Sequence, residues 1–312
     1  MLQSKILAQW RREMNMSDLT VIIPAYNEEA SLRSFLPQIF DFCDLQGCCL
    51  FVVNDGSRDG TKDVLDSYED RKNFKSIHHK LNKGYGEAIK SGLMAVKTKY
   101  CITIDADGQH SPEDICRLYA LMTEQDADLV IGRRSEKWKN NPYRFCGKRI
   151  IRWITKMLMP LDVQDINSGM KMYRTELARA YAHLCPSNMP FSDIITLYFV
   201  NQRHLVLETP INISPRVAGV STINTITAFE TIMEILHIVT FFNPMRVFLP
   251  VALVFLTLSA LWGVPIILRG EGVSVGTLFL FVTGMNFFFL GLIAEQLSIV
   301  RKKICIDPVN KL

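Results

Sequence analysis

Residues 247–268 (VFLPVALVFLTLSALWGVPIIL) and 273–294 (VSVGTLFLFVTGMNFFFLGLIA) contain no charged side chain. Each is 22 residues long. As a helix that is roughly 33 Å, enough to cross a hydrocarbon layer of roughly 30 Å. Only Arg269-Gly270-Glu271-Gly272 joins them, so the pair is expected to form a tight helical hairpin with both outer ends on one side. A pair of buried core helices is the competing reading, but uncharged stretches beyond about 18 residues are rare in soluble cores. Arg246 and Arg301-Lys302-Lys303 lie on the outer flanks, while the connection has one Arg and one Glu. By the positive-inside rule the flanks are cytoplasmic. No comparable span and no signal-peptide pattern precedes residue 247, so the upstream chain is expected in the cytoplasm too.

This localised apolar excess accounts for a mean hydropathy of +0.13. The net charge of +4 is mild and gives no reason to expect a nucleic-acid partner. The eight cysteines include no Cys-x-x-Cys pair, so neither a zinc site nor a disulfide framework is indicated.

Upstream of the hairpin, short apolar runs alternate with helical patterns. Strand-like runs are Leu19–Ile23, Cys49–Val53, Lys75–His78, Tyr100–Ile104 and Leu129–Ile131, with helical patterns near 29–42, 60–70, 85–97 and 112–124. That alternation indicates an α/β domain with a mostly parallel sheet. Residues 144 to about 202 read as helical, and two short strands follow near 205–208 and 210–213. Residues 224–243 place Ile226, Phe229, Met233, Leu236 and Val239 on one face, with Thr227 and Glu230 as a capping box. Such a helix is expected to lie in the membrane interface, with packing on the globular domain as the alternative.

Ligands of parallel sheets bind at the carboxyl ends of strands. Four such ends carry polar clusters. "VIIPAYNEE" ends a strand at Pro24 and Ala25 and continues into Glu28. "VVNDGSRDGT" ends one at Asp55. "NKGYGEAIKSG" opens a helix from a glycine loop. "IDADGQHSPED" sets Asp105, Asp107 and Gln109 two residues apart. Carboxylate and amide oxygens in that pattern suit a hard divalent cation, Mg2+ or Mn2+.

Together and in this order, over roughly residues 19–220, these stretches resemble the family 2 glycosyltransferases with the GT-A fold. "SGMKMYR" (168–174), "ISPRVAGVST" (213–222) and the hairpin resemble the polyprenyl-phosphate group. That group includes dolichyl-phosphate mannose synthase and bacterial undecaprenyl-phosphate glucosyltransferases.

The resemblance implies a fold and a reaction. The fold is a GT-A (Rossmann-like, mostly parallel sheet) domain at 17–223, after an arm at 1–16. An amphipathic interfacial helix (224–246), a transmembrane hairpin (247–294) and a basic tail (295–312) follow. The reaction is inverting transfer of a hexose from a UDP- or GDP-sugar to a polyprenyl phosphate, undecaprenyl or dolichyl. It takes place at the cytoplasmic face of a membrane, a bacterial inner membrane rather than the endoplasmic reticulum.

The family's residues carry over individually. Pro24, Ala25, Glu28 and Asp55 would hold the nucleoside. Asp105 would lie near the donor sugar. Asp107 and Gln109 would hold Mg2+ or Mn2+. Arg133, Arg149 and Arg216, with Arg144 as a further candidate, would grip the acceptor phosphate, for which the planar guanidinium fork is suited. Asp165 matches an acid proposed as catalytic base, although a phosphate monoester is largely dianionic at neutral pH and needs little activation. Orienting an arginine or the acceptor is the alternative role. Gly219-Val220-Ser221-Thr222 lacks a lysine that the family carries there. Two other functions fit the same motifs: transfer to a glycolipid or surface glycan, and a nucleotide-sugar-binding scaffold without catalysis. Side-by-side hairpins in a homo-oligomer are compatible with either arrangement.

Overall fold

The computed structural model describes residues 15–134, 163–188, 190–213, 240 and 243–309, with side chains to residue 300. The chain divides into two compact units. One contains residues 15–134 and 163–213, and the other contains the C-terminal helices.

The first unit is built on a seven-stranded sheet. Its strands are β1 (Leu19–Ala25), β2 (Cys49–Asn54), β3 (Phe74–His78), β4 (Tyr100–Thr103), β5 (Leu129–Arg134), β6 (Lys171–Arg174) and β7 (Val206–Ile211). The spatial order is β3-β2-β1-β4-β6-β5-β7. The pairs β1/β2, β1/β4, β2/β3 and β5/β7 are parallel, whereas β6 runs antiparallel between β4 and β5. The helices are α1 (Glu29–Gln46), α2 (Thr61–Asp66), α3 (Tyr85–Ala95), α4 (Pro112–Glu124), α5 (Thr175–Ala182) and α6 (Phe191–Asn201).

Local chemistry sets these boundaries. All seven residues of β1 are buried, as a central parallel strand covered on both faces requires. Gly47 ends α1 in the left-handed region at φ 73°, its N–H donating to Cys43 O. Pro112 opens α4 after Ser111, with Glu113 and Asp114 in the first turn, an arrangement that suits an N-terminus. Leu32, Leu36 and Ile39 of α1 and Ile115 and Leu118 of α4 join Val21, Ile23, Leu50, Val52 and Ile102 in one core. Met16 is fully buried in that core.

The α/β architecture and its mostly parallel sheet match the expectation. Two details do not. Residues 171–174, expected to be helical, form β6. The stretch expected to give two strands gives one, β7, which contains Pro210. β7 pairs with β5 alone, and an edge strand tolerates a residue without an N–H.

The second unit contains α7 (Met245–Leu268) and α8 (Val275–Val309). Residues 245–268 and 275–300 are long and apolar enough to cross a membrane. They pack as an antiparallel hairpin. A Cβ on Gly284 would lie 2.8 Å from Leu256 Cγ, and one on Gly291 would lie 2.8 Å from Phe248 Cβ. Phe255 stacks on Phe287, and Ser259 Oγ donates to Thr277 O at 3.0 Å. Small residues and short polar bonds are what bring apolar helices together where no hydrophobic force acts between them. The amphipathic stretch at 224–239 lies outside the described residues.

Candidate active site

The loops after β1 and β2 are stitched together. Asn27 adopts φ 54°. Its N–H donates to Ser57 Oγ at 2.9 Å, and its Oδ1 accepts from Arg58 N–H at 2.8 Å. Glu28 N–H donates to Thr61 Oγ1, and Glu28 Oε2 accepts from the Ser31 hydroxyl at 2.8 Å. Asp59 Oδ1 accepts from the Thr61 hydroxyl at 2.6 Å, and Asp59 Oδ2 from Glu29 N–H at 3.1 Å. Burial pushes the Asp59 carboxyl up, but these donors outweigh it and hold the group below its ordinary value. Pro24 and Ala25 end β1 directly beneath this seam, paired with Val53 and Asn54.

Asp55 follows β2 and is 3% exposed. Its Oδ1 accepts from Lys83 N–H at 2.9 Å and faces His79 Nδ1 at 2.6 Å, and its Oδ2 accepts from Gly84 N–H at 2.8 Å. Gly84 has φ 99°, and a Cβ there would lie 2.6 Å from Ser187 O, so only glycine suits the position. The carboxylate thereby fixes the glycine loop that opens α3.

Asp105 and Asp107 follow β4, as expected. Tyr85 on α3 donates its hydroxyl to Asp105 Oδ1 at 3.1 Å, and His110 Nε2 lies 3.7 Å from Oδ2. Burial acts to raise the Asp105 carboxyl, but His110 and Tyr85 hold it below the ordinary range. The Asp105 side chain is 38% exposed, so burial acts on it only in part. Burial and the neighbouring Asp105 push the Tyr85 hydroxyl well up, which keeps it protonated and donating. Gly169 lies against Asp105, and a Cβ there would collide with Oδ2. Gly108 turns the loop at φ 72°, and Gln109 N–H donates to Asp107 Oδ1 at 3.1 Å. Asp105, Asp107 and Gln109 supply oxygen donors alone. Two carboxylates completed by substrate phosphates are what Mg2+ or Mn2+ takes, so this donor set fits such an ion.

The end of β5 carries Arg133 and Arg134. Arg134 grips Asp165 fork to fork, Nε to Oδ2 at 2.9 Å and Nη2 to Oδ1 at 2.8 Å, while its N–H also donates to Oδ2 at 3.0 Å. Burial acts to raise the Asp165 carboxyl, and the Arg134 guanidinium overrides it and holds the group below its usual range. An acid so held is a weak base. Arg133 Nη1 donates to Gln164 Oε1 at 2.9 Å. Arg144, Arg149 and Arg216 lie outside the described residues.

Beneath this loop is a group the sequence reading passed over. Lys171 is fully buried. Its three N–H groups are shared among four acceptors, Ile166 O and Ser192 O at 2.5 Å, Ser192 Oγ at 2.7 Å and Thr196 Oγ1 at 2.8 Å. Burial pushes this ammonium down, to about 8, although Asp193 and Asp165 pull the other way. The lysine ties the 165–169 loop to α6. Tyr85 and Arg134 were also passed over, and His79 was read only as the end of a strand, where it follows β3. Of these only Arg134 had a signal, its place beside Arg133 at a strand end.

The glycosyl transferase family 2 sequence model matches residues 20–182, just over half of the chain. The chain belongs to glycosyl transferase family 2. A second model, the GtrB C-terminal hairpin, matches residues 243–300. Among curated relatives is undecaprenyl-phosphate 4-deoxy-4-formamido-L-arabinose transferase of Edwardsiella ictaluri, 26% identical over 93% of this chain and 91% of its own. Dolichyl-phosphate beta-glucosyltransferase of Dictyostelium discoideum is 29% identical over 52% of this chain and 55% of its own. Polyprenol monophosphomannose synthase of Mycolicibacterium smegmatis is 29% identical over 64% and 79%. Glucosyl-3-phosphoglycerate synthase from Mycobacterium tuberculosis, in a crystal structure with Mn2+, UDP-glucose and phosphoglyceric acid, superposes with a TM-score of 0.55. It is 18% identical over 75% of this chain and 82% of its own, a likeness of GT-A fold. The family 2 protein is thus a glycosyltransferase with a GT-A domain and two apolar C-terminal helices, and these three curated relatives are named as polyprenyl-phosphate sugar transferases.

Proposed function

We propose that this family 2 glycosyltransferase moves one hexose, with inversion, from a nucleoside diphosphate sugar to a polyprenyl phosphate at the cytoplasmic face of a membrane. One observation carries the reading. Oxygen donors, a bound carboxylate and arginines meet at the carboxyl ends of β1, β2, β4 and β5, in a chain that also carries a membrane-length hairpin. Relatives aligned across nearly the whole chain are named for undecaprenyl-phosphate transfer, which supports the lipid acceptor.

In this reading Pro24, Ala25, Glu28 and Asp55 receive the nucleoside. Asp107 and Gln109 hold the cation, and when bound it offsets charge on the departing diphosphate. Asp105, held low by His110 and Tyr85, stays ionised beside the sugar. Arg133 meets the acceptor phosphate, with Arg149 and Arg216 as further contacts from the sequence pattern. Asp165 aims Arg134 rather than removing a proton, because its own proton affinity is low and the acceptor is already largely dianionic. The hairpin holds the protein where the lipid headgroup lies.

The test is transfer by purified protein in detergent with Mg2+ or Mn2+, offering UDP-glucose, UDP-galactose, UDP-N-acetylglucosamine and GDP-mannose with polyprenyl phosphate. A lipid-soluble product that needs the cation and disappears with Asp107→Ala is expected. Donor hydrolysis without lipid product would remove the acceptor from the reading.

A further inference from the structure

We infer that Lys171 and Asp193 are positioning residues for sugar transfer. They clamp the 165–169 loop to the start of α6, and that loop holds Arg134 at one end and lies against Asp105 at the other. The inference deepens the reading above, in which Asp165 aims Arg134 and Asp105 lies beside the sugar.

Every residue of this loop is tied. Asp165 holds Arg134 on β5. Ile166 O accepts from Lys171 Nζ. The Asn167 amide nitrogen, in the orientation its neighbours require, donates to Asp193 Oδ1 at 2.7 Å and Oδ2 at 3.1 Å. Ser168 Oγ donates to Gly132 O at 2.6 Å, and Ser168 O accepts from Ser192 Oγ at 2.9 Å. Gly169 O accepts from Thr103 Oγ1 at 3.0 Å. The loop is thus fastened to β4, to β5 and, through Lys171, Ser192 and Asp193, to α6.

Lys171 opens β6, where its backbone pairs with Thr103 on one side and Ile131 on the other. It therefore stands between the strands that lead to Asp105 and to Arg134. A buried ammonium is a costly way to fill space, and an apolar side chain would do so without that cost. What the ammonium adds is direction, since it joins a loop carbonyl to Ser192 and Thr196 of α6. Asp193, itself 9% exposed, and Asp165 lie near enough to offset its charge. The pair acts on the reaction through the loop and touches neither substrate. Transfer depends on groups from β4 and β5 meeting at a fixed separation, where a displacement of about 1 Å can cost about a hundredfold.

The test uses full-length protein in detergent with MnCl2. Sugar transfer to polyprenyl phosphate gives kcat and donor KM. Calorimetric titration with UDP and with GDP gives nucleotide affinity, and its stoichiometry counts the intact donor sites. Per intact site, Lys171→Met is expected to lower kcat at least about tenfold, with donor KM and nucleotide affinity within about twofold of the parent's. Asn167→Ala cuts the Asp193 arm at an exposed residue and is expected to lower kcat about threefold or more, again with affinity kept. Parent-like kcat per site in Lys171→Met overturns the inference and leaves transfer standing. So does a fall in kcat matched by an equal loss of nucleotide affinity, which marks damage to the whole site. If Lys171→Met binds no nucleotide, Asn167→Ala decides, and a parent-like kcat there overturns the inference. No lipid product from the parent protein overturns the proposed function, and the inference with it.

Discussion

At the scale of single residues, Asp165 and Arg134 show how one ion pair separates two roles. A catalytic base should keep its proton affinity, whereas the fork-to-fork contact with Arg134 lowers that of Asp165. The folded value is depressed, so the pair's stabilisation is complete above the unfolded value of about 3.9 and fades as pH falls through the folded one. Arg134 is 44% exposed, so solvent screens the pair. Asp165→Asn should therefore cost at most about 1 kcal/mol near neutrality, with the difference between the two proteins starting to shrink only below about pH 4 in denaturant titrations.

Lys171 has the opposite sign, because burial lowers a cation's affinity for its proton. From about 8 in the folded chain towards 10.5 in the unfolded one, the unfolded state binds more protons, so stability rises with pH across that window. Thermal melts from pH 7.5 to 10 should show the parent gaining on Lys171→Met by a few kcal/mol at most. A constant difference between the two would show that Lys171 does not titrate there. Asp107→Ala should reduce transfer by at least about a hundredfold, the scale of losing an electrostatic contact to the leaving group. It should leave the melting temperature close to the parent's.

At the scale of elements, strands built from apolar β-branched runs were legible. Leu19–Ile23, Cys49–Val53 and Leu129–Ile131 read as strands because β1 and the start of β5 are buried on both faces, and β2 on one face with Cys49 and Phe51 half-buried on the other. β6 was not legible, since four residues that begin at a lysine carry no strand pattern and only the neighbouring strands explain its burial. Two strands were expected at 205–208 and 210–213, but the sheet carries Pro210 inside one edge strand. The strand-end acids were legible one by one. Their partners were not, because His79 lies 24 residues from Asp55 and Asp165 lies 31 from Arg134. Such pairs form only when the sheet brings distant loops together. Gly169 belongs to this scale, because it lets the loop before β6 lie against Asp105. Gly169→Ala should force the two apart and cost about 1–3 kcal/mol of stability. Transfer should fall with it, as melts and initial rates on one preparation would show.

At the scale of the whole molecule, a sheet-based sugar-transfer domain and an apolar hairpin occupy one chain, and the proposal of a lipid acceptor rests on this pairing. A soluble acceptor would need no membrane-length helices. The hairpin predicts that the full chain stays with membranes through an alkaline carbonate wash, and its release into the supernatant would contradict a spanning role. The most direct test of the central claim follows a radiolabelled sugar from its nucleotide carrier. Purified full-length protein would be given labelled donor and Mn2+, with and without polyprenyl phosphate, and the organic phase counted. Label entering that phase only when the lipid phosphate is present is the predicted result. Label moving instead to a glycolipid or glycan acceptor, with polyprenyl phosphate left unmodified, would contradict it.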